Sequence, residues 1–231
     1  AIQAAIDAMP HGGRLILPAM ELVLDRGIEL RSGIELVGQG AKTVLRKGPG
    51  RVYPLSGYHN YGMCDVPLQS SDGLEVGMTV SVRDNPRGGF YSTFARITWI
   101  DGDWVGLDHG IQADYQADQE PALTTAYPMI FGHAIAGAAV RDLVLDGARQ
   151  DQQANMDGCR GAAVYFANSR DLEISGIQER NYLGEGIGFQ MCRDIRIRDC
   201  EVSANLGNGL HPGAGSTNCL IERCTSRDNE Q

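Results

Sequence analysis

The second half of the chain contains an internal repeat. The segments RDLVLDG, RDLEISG, RDIRIRD and TNCLIER start at residues 141, 170, 193 and 217, which gives offsets of 29, 23 and 24. A short repeat that carries no helical period is typical of a solenoid, in which successive coils stack on one another. The register predicts that residues 23 or 24 apart lie directly above one another.

Two columns of this alignment are apolar. The first holds Leu143, Leu172, Ile195 and Cys219, and the second holds Leu145, Ile174, Ile197 and Ile221. The columns are two residues apart, so both point to the same side of a β-strand. The spacing of three to four that a helical solenoid needs is missing. We therefore predict an all-β fold, a parallel β-solenoid with coils of about 23 residues and apolar rungs inside.

The N-terminal part fits the same architecture. AIQAAIDAM has apolar residues at positions 2, 5, 6 and 9, which predicts an amphipathic helix that caps the first coil. We expect the cap and first coils in residues 1–50 and the remaining coils in 130–231, where the repeat stops in mid-pattern. Both ends look cut, so we expect any signal sequence to lie outside this chain and the protein to be secreted or periplasmic.

Residues 51–129 do not follow the coil period. Two segments alternate apolar and polar residues, and the second does so around DGD, which indicates a hairpin. We predict a small antiparallel β insertion packed on the solenoid. Its segment RGGFYST (87–93) is predicted to be a loop, in which Phe90 and Tyr91 are either sugar-stacking rings or ordinary packing aromatics.

Charge and cysteine content limit the partners. The formal net charge is −9, which disfavours nucleic acid, and no apolar run is long enough to cross a bilayer. None of the six cysteines forms a CxxC pair, so a zinc site is not indicated, and we interpret them as small buried apolar residues. The sequence indicates no definite cofactor, and Ca²⁺ is the one metal that it leaves open. The oligomeric state stays open.

The opening AIQAAIDA, GGRLILPA and IELVGQG, followed by RDLEISG-type coils, resembles the pectin-lyase-like superfamily of right-handed parallel β-helices. The resemblance covers residues 1–46 and 130–231. It implies a right-handed β-helix and a polysaccharide or oligosaccharide partner, because members of the superfamily cleave or epimerise polysaccharides or are viral tailspikes. At this level the functional part is an analogy between folds.

The segment GNGLHPGAGSTN (207–218) places a histidine within the repeat. Steps of 23 residues put His211, Gly188 and Tyr165 in one outward column. His211 and Tyr165 would lie on the order of 10 Å apart, with a gap at Gly188 about the size of one sugar ring. The adjacent column holds Ala162, Glu185 and Asn208. The neighbouring turns supply Asp157, Arg160 and Arg180.

These residue types suit proton abstraction beside a sugar carboxylate. His211 or Tyr165 would act as base and the other as acid, and Arg180 would stabilise the developing negative charge. Four residues are predicted to bind substrate: Asn208, Glu185, Asp157 and Arg160.

Residues 208–229 are similar, without gaps, to the active-site coil of alginate epimerases, which opens Tyr-Gly-Phe-Asp-Pro-His-Glu. Gly209 and Pro212 match this pattern. Asn208, His211, Gly213 and Ala214 stand at the positions of its tyrosine, aspartate, histidine and glutamate. The resemblance implies a shared loop shape without the epimerase's catalytic residues, so epimerase activity is not carried over.

Three functions remain open. The leading one is a lyase that cleaves a uronic-acid polymer by β-elimination. The second is a glycoside hydrolase on the same fold, which would need a pair of carboxyl groups such as Asp157 and Glu185. The third is a non-catalytic glycan-binding or tailspike-type protein.

Overall fold

The structure is a computed structural model, and it describes residues 1–85, 91–156 and 161–230. Three parallel β-sheets, named sheets A, B and C, form the faces of a β-helix. Sheet A contains β1 (Gly13–Ile16), β4 (Ile34–Val37), β13 (Ala139–Arg141), β16 (Arg170–Ser175), β19 (Arg193–Arg198) and β22 (Leu220–Glu222). Sheet B contains β2 (Glu21–Leu24), β5 (Val44–Lys47), β14 (Val144–Asp146), β17 (Gln178–Arg180), β20 (Glu201–Ser203) and β23 (Thr225–Arg227). Sheet C contains β3 (Ile28–Glu29), β12 (Ile130–His133), β15 (Ala162–Ala167), β18 (Glu185–Gln190) and β21 (Leu210–Pro212).

The predicted offsets of 23 and 24 residues are confirmed. Leu172 pairs with Ile195, and Ile197 pairs with Ile221. The offset of 29 is wrong, because Ile174 pairs with Val140, 34 residues earlier, and Leu145 lies in sheet B beside Glu179. The additional residues belong to the connection between β14 and β15, residues 147–161, which the short repeat does not contain.

The core follows from the period of two along each strand. Leu172, Ile174, Ile195 and Ile197 are at most 2% exposed and pack in one apolar cluster. The arginines and glutamates between them face outward. Each rung therefore buries its apolar side chains against the rungs above and below, which is the main source of stability in such a solenoid.

The N-terminal helix α1 (Ile2–Asp7) covers the open edge of β3. Gln3 Nε2 donates to the backbone oxygen of Glu29, and Gln3 Oε1 accepts from the Glu29 backbone N–H. Ile6, a residue of this helix, is fully buried. The side chain of Gln3 thus bonds the Glu29 backbone as a neighbouring strand would. This protects an edge of the sheet that would otherwise pair with another chain.

Six strands form the insertion, with the order β6-β11-β8-β9-β10-β7. They are β6 (Val52–Pro54), β7 (Asp65–Pro67), β8 (Thr79–Arg83), β9 (Thr93–Asp101), β10 (Trp104–Leu107) and β11 (Ala122–Thr124). All their pairings are antiparallel, and β9 and β10 form the hairpin predicted around DGD. The sheet has an apolar core of its own, around Val66, Val80 and Val105.

The cysteines of the chain differ in burial. Cys192 and Cys200 are buried, as predicted, whereas Cys64 and Cys219 are exposed, and all five described cysteines have free thiols. In the part of the chain that the structure describes, 3-10 helices lie at Ala117–Gln119 and Arg149–Asp151. Among the described residues, no helix combines the length and apolarity that crossing a bilayer requires.

Asparagine side chains link successive coils at the turn that leaves sheet B. Asn229 Oδ1 accepts from the Asn205 backbone N–H, and Asn205 Oδ1 accepts from the Tyr182 backbone N–H at 2.8 Å. Asn205 Nδ2 also donates to Glu179 Oε2 at 2.6 Å. These asparagines form a ladder between coils, and Asn205 also supports a carboxyl group inside the β-helix.

Substitution of Asn205 by alanine is expected to lower the free energy of unfolding by about 2–4 kcal/mol, because it leaves the Tyr182 N–H and the Glu179 carboxyl without their partner. Urea denaturation followed by circular dichroism measures this change. Asn60→Ala is the matched control, since Asn60 is exposed and its side chain accepts from the Tyr58 hydroxyl at the protein surface. Equal losses for the two variants would contradict the prediction.

Candidate functional site

The outer face of sheet C carries the predicted column. Tyr165 pairs with Gly188, and Gly188 pairs with His211, so the three residues lie on successive rungs. Ala162 pairs with Glu185 in the adjacent column, and the backbone oxygen of Asn208 accepts from Gly186. The predicted register thus places His211, Tyr165, Glu185 and Asn208 on one face.

His211 is held by a carboxylate. Its Nδ1 lies 2.7 Å from Glu185 Oε1 and 2.8 Å from Oε2, and Asn208 Nδ2 donates to Oε1 at 3.1 Å. The Glu185 side chain is 6% exposed and that of His211 is 29% exposed. With Nδ1–H donating to the carboxylate, the lone pair of neutral His211 is on Nε2, for which the described residues provide no hydrogen-bond partner. This arrangement prepares an imidazole to accept a proton.

Strand β18 bends to make this contact. If side chains alternated strictly along β18, Glu185 would point inward with Ile187 and Phe189. Gly186 faces inward instead, because a Cβ on this residue would overlap the buried Val202. Glu185 turns outward and covers Gly188, where a Cβ would lie 3.3 Å from Glu185 Oε2. The gap predicted between Tyr165 and His211 is therefore partly filled by the Glu185 carboxylate rather than open for a whole sugar ring.

A groove lies between sheet C and the insertion. Its volume is about 560 Å³, and residues from both sides line it: Phe131, His133 and Tyr165 from the β-helix, and Phe94, Arg96 and His109 from the insertion. Phe94 and Phe131 meet edge to face, with ring centroids 5.0 Å apart. Tyr165 belongs both to the groove and to the column of His211, whereas His211 and Glu185 do not line the groove themselves.

The insertion wall of the groove is charged. Asp108 Oδ1 lies 2.9 Å from His109 Nδ1, and Arg96 lies between two carboxylates, 3.4 Å from Glu29 and 3.8 Å from Asp108. The hydrogen bond to Asp108 raises the pKa of His109. Burial alone would raise the pKa of Asp108, but hydrogen bonds from His109 and the Arg96 backbone lower it overall. The groove thus presents the Arg96 guanidinium and the His109 imidazole beside the carboxylates of Glu29 and Asp108.

Asp108→Asn is expected to lower the pKa of His109 toward its ordinary value, because the amide cannot stabilise the imidazolium as the carboxylate does. An NMR titration of the His109 ring protons measures the change. Asp103→Asn is the matched control, since Asp103 accepts from the Ser71 backbone. An unchanged His109 titration in Asp108→Asn would show that the pair does not form.

Sequence analysis did not single out the residues of the insertion wall. His109 and Asp108 follow strand β10, and His133 ends β12, with its Nε2 2.9 Å from Asn168 Nδ2. The only sequence signal was the adjacent Asp-His pair in the segment WVGLDHGI. No repeat register relates residues 51–129 to sheet C, so their approach to Tyr165 could not be predicted.

The remaining predicted site residues do not join His211. Arg180 lies in sheet B, on a different face of the coil from His211, and forms an ion pair with Asp146 at 3.1 Å, so the structure does not bring it to the predicted site. Asp157, Arg160 and Phe90 lie outside the described residues. Tyr91 is exposed and lies just before β9 in the insertion. Within the described part of the chain, no three His, Cys, Asp or Glu side chains cluster as metal ligands would.

Comparisons with known proteins identify the fold. No family model matches the chain, and no curated protein matches its sequence. The A-modules of two mannuronan C-5 epimerases from Azotobacter vinelandii match in structure: the first has 16% identity and a TM-score of 0.60 over 99% of this chain and 45% of its own, and the second has 16% identity and a TM-score of 0.50 over 99% and 53%.

A tailspike from Pseudomonas phage phi297 matches at 14% identity and a TM-score of 0.44, over 95% of this chain and 43% of its own. The chain therefore spans less than half the length of this tailspike and of the first epimerase module. The stacked parallel sheets and the structural matches to the two epimerase modules together show that the chain has a parallel β-helix fold, with an antiparallel sheet inserted into it.

Proposed function

We propose that this protein is a carbohydrate-active enzyme that cleaves an extracellular uronic-acid polymer by β-elimination. The observation that carries the proposal is the hydrogen-bonded pair of His211 Nδ1 and the Glu185 carboxylate on the outer face of sheet C. A base oriented by a buried carboxylate is the group that abstraction of the proton beside a sugar carboxylate requires.

In the proposed reaction, His211 Nε2 takes the proton from C5 of the uronic acid. The electron pair forms the C4–C5 double bond while the bond from C4 to the glycosidic oxygen breaks. The Tyr165 hydroxyl, two rungs away in the same column, protonates that oxygen as it leaves, and the sugar ring lies over the Glu185 carboxylate that occupies the rung between them. Arg96 and His109, which share the groove with the carboxylates of Glu29 and Asp108, donate hydrogen bonds to substrate carboxylates, in place of the role that the sequence predicts for Arg180.

Glycoside hydrolysis is less well supported at this pair. It needs two carboxyl groups on opposite sides of the scissile bond. Glu185 is almost fully buried and is bound by both His211 and Asn208, so it is a positioning residue for the histidine rather than a group that reaches substrate. The epimerases that share the fold act on mannuronan, which supports a uronic-acid polymer as the substrate class.

The test uses polymannuronate, polygalacturonate and a neutral glucan as substrates. β-Elimination predicts an unsaturated product with new ultraviolet absorbance, together with one new reducing end for each bond cleaved, on a uronic polymer but not on the glucan. New reducing ends without this absorbance would identify a hydrolase instead. Binding of a polymer without either signal would identify a non-catalytic glycan-binding protein.

A further inference from the structure

The two tryptophans of the chain lie together on one face of the inserted sheet. Trp99 is on β9 and Trp104 is on β10, and they are 42% and 46% exposed. Trp104 pairs with Asp101, and Gly106 pairs with Trp99, so the tryptophans are diagonal neighbours across the hairpin. Diagonal neighbours of this kind are about 7–8 Å apart.

Both rings are held in place from below or from the side. The Trp99 ring lies over Gly106, where a Cβ would overlap it, so the glycine provides the flat surface on which the ring rests. Trp104 meets the His59 ring edge on, with centroids 6.2 Å apart, and His59 is itself buried. Two supported rings, each with an exposed surface, form a platform that we name the Trp99–Trp104 platform.

This platform is continuous with the wall of the groove. A β-bulge at Thr98, between the pairs Leu107–Ile97 and Gly106–Trp99, shifts the alternation of β9 by one residue. As a result, Trp99 lies on the same outer face as Phe94 and Arg96, while Ala95, Ile97 and Ile100 face the core of the insertion. One chain that leaves the groove past Arg96 can therefore run along the sheet toward Trp99 and Trp104.

We propose that the Trp99–Trp104 platform is an additional glycan-binding subsite, which stacks on sugar rings of the same polysaccharide that enters the groove. The ligand class rests on the proposed function. The apolar C–H face of a pyranose ring packs against a flat aromatic ring, and the indole N–H and the nearby Asp101 carboxylate can bond to hydroxyl groups. Stacking of this kind is insensitive to salt, whereas contacts to Arg96 and His109 weaken as salt screens them.

Intrinsic fluorescence tests the proposal directly, because the platform holds every tryptophan of the chain. Short and long oligosaccharides of polymannuronate and polygalacturonate are titrated into the protein, and binding is measured independently by calorimetry. We expect long oligosaccharides to bind more tightly than short ones and to change the tryptophan emission in a saturable manner, at low and at high sodium chloride concentration alike.

Variants separate stacking from a general effect on the fold. Trp99→Ala and Trp104→Ala are each expected to weaken binding of long oligosaccharides by about tenfold and that of short ones by less than about twofold. Trp99→Phe and Trp104→Phe keep an aromatic surface and should retain most of the affinity, with the remaining tryptophan as sole reporter. Val23→Ala, at an exposed apolar residue of β2, is the control for loss of surface contact elsewhere.

The outcomes distinguish this proposal from the proposed function. Calorimetric binding of a long oligosaccharide with unchanged emission and unchanged affinity in both alanine variants overturns the platform and leaves β-elimination standing. Changed emission and length-dependent affinity without any product support the platform and refute β-elimination. Absence of binding for both uronic polymers overturns both.

Discussion

Replacing His211 with alanine is expected to reduce the turnover of a uronic polymer by about 10³-fold, within the range that loss of a general base produces. The reason is that no other group of the described site is oriented to accept the C5 proton. Initial rates of ultraviolet absorbance measure the change, with circular dichroism to confirm the fold. His11→Ala is the matched control, because His11 is exposed beside the capping helix, at the β3 end of sheet C, whereas His211 lies on β21 at the opposite end.

Variants of Glu185 test how the histidine is held. Glu185→Leu is expected to lower turnover by about 10²-fold, because neutral His211 loses the acceptor that keeps its proton on Nδ1. Glu185→Gln retains an acceptor oxygen and should lose less. Both should lower kcat more than they raise KM, since Glu185 does not reach substrate. Full turnover in His211→Ala would remove His211 from the mechanism.

Replacing Glu179 with glutamine is expected to stabilise the protein by about 5 kcal/mol above pH 8 and to change its stability little at pH 4.5. Burial inside the β-helix raises the pKa of Glu179 from 4.5 to about 8, although the Asn205 hydrogen bond opposes the shift and Asp146 adds to it. Its Oε1 has no hydrogen-bond partner among the described residues.

The direction follows from proton binding. Between pH 4.5 and 8 the folded protein holds a proton on Glu179 that the unfolded chain has lost, so the stability of the wild type falls as pH rises through this window. Glutamine does not titrate and avoids this loss. Urea unfolding across the pH range measures the difference in the free energy of unfolding between wild type and variant. Glu201→Gln is the control, because Glu201 is a largely solvated carboxylate one coil further along sheet B. An equal change in stability at acid and alkaline pH would show that Glu179 is ionised in the folded protein.

Most of the β-helix could be predicted from the residues alone. In a solenoid each coil contacts chiefly its neighbours, so a short apolar period such as that of Ile174, Ile197 and Ile221 specifies both strand direction and stacking. The same register brought His211, Gly188 and Tyr165 into one column. The predicted register does not hold at the coil that ends with β14, because the longer connection before β15 carries no periodic signal.

Stacking register does not specify which face of the coil a residue occupies. Arg180 has a correct position along the axis, yet it lies in sheet B because a turn separates β17 from β18. The outward turn of Glu185 depends on the bend at Gly186, which strict alternation cannot anticipate. Both features depend on how the backbone turns between one sheet and the next. Similar residues occur at many such turns, so the sequence does not distinguish one turn geometry from another.

The amino-acid sequence by itself determined the repeat, the buried rungs and the column that carries His211, because these arise from local period and contacts between adjacent coils. Only the tertiary structure decided the groove, in which His109 and Arg96 of the insertion face Tyr165 of sheet C. It also decided that Trp99 and Trp104 share the outer face of the insertion with that groove. Residues distant in the chain meet there through the packing of two separate cores, and no periodicity relates one core to the other.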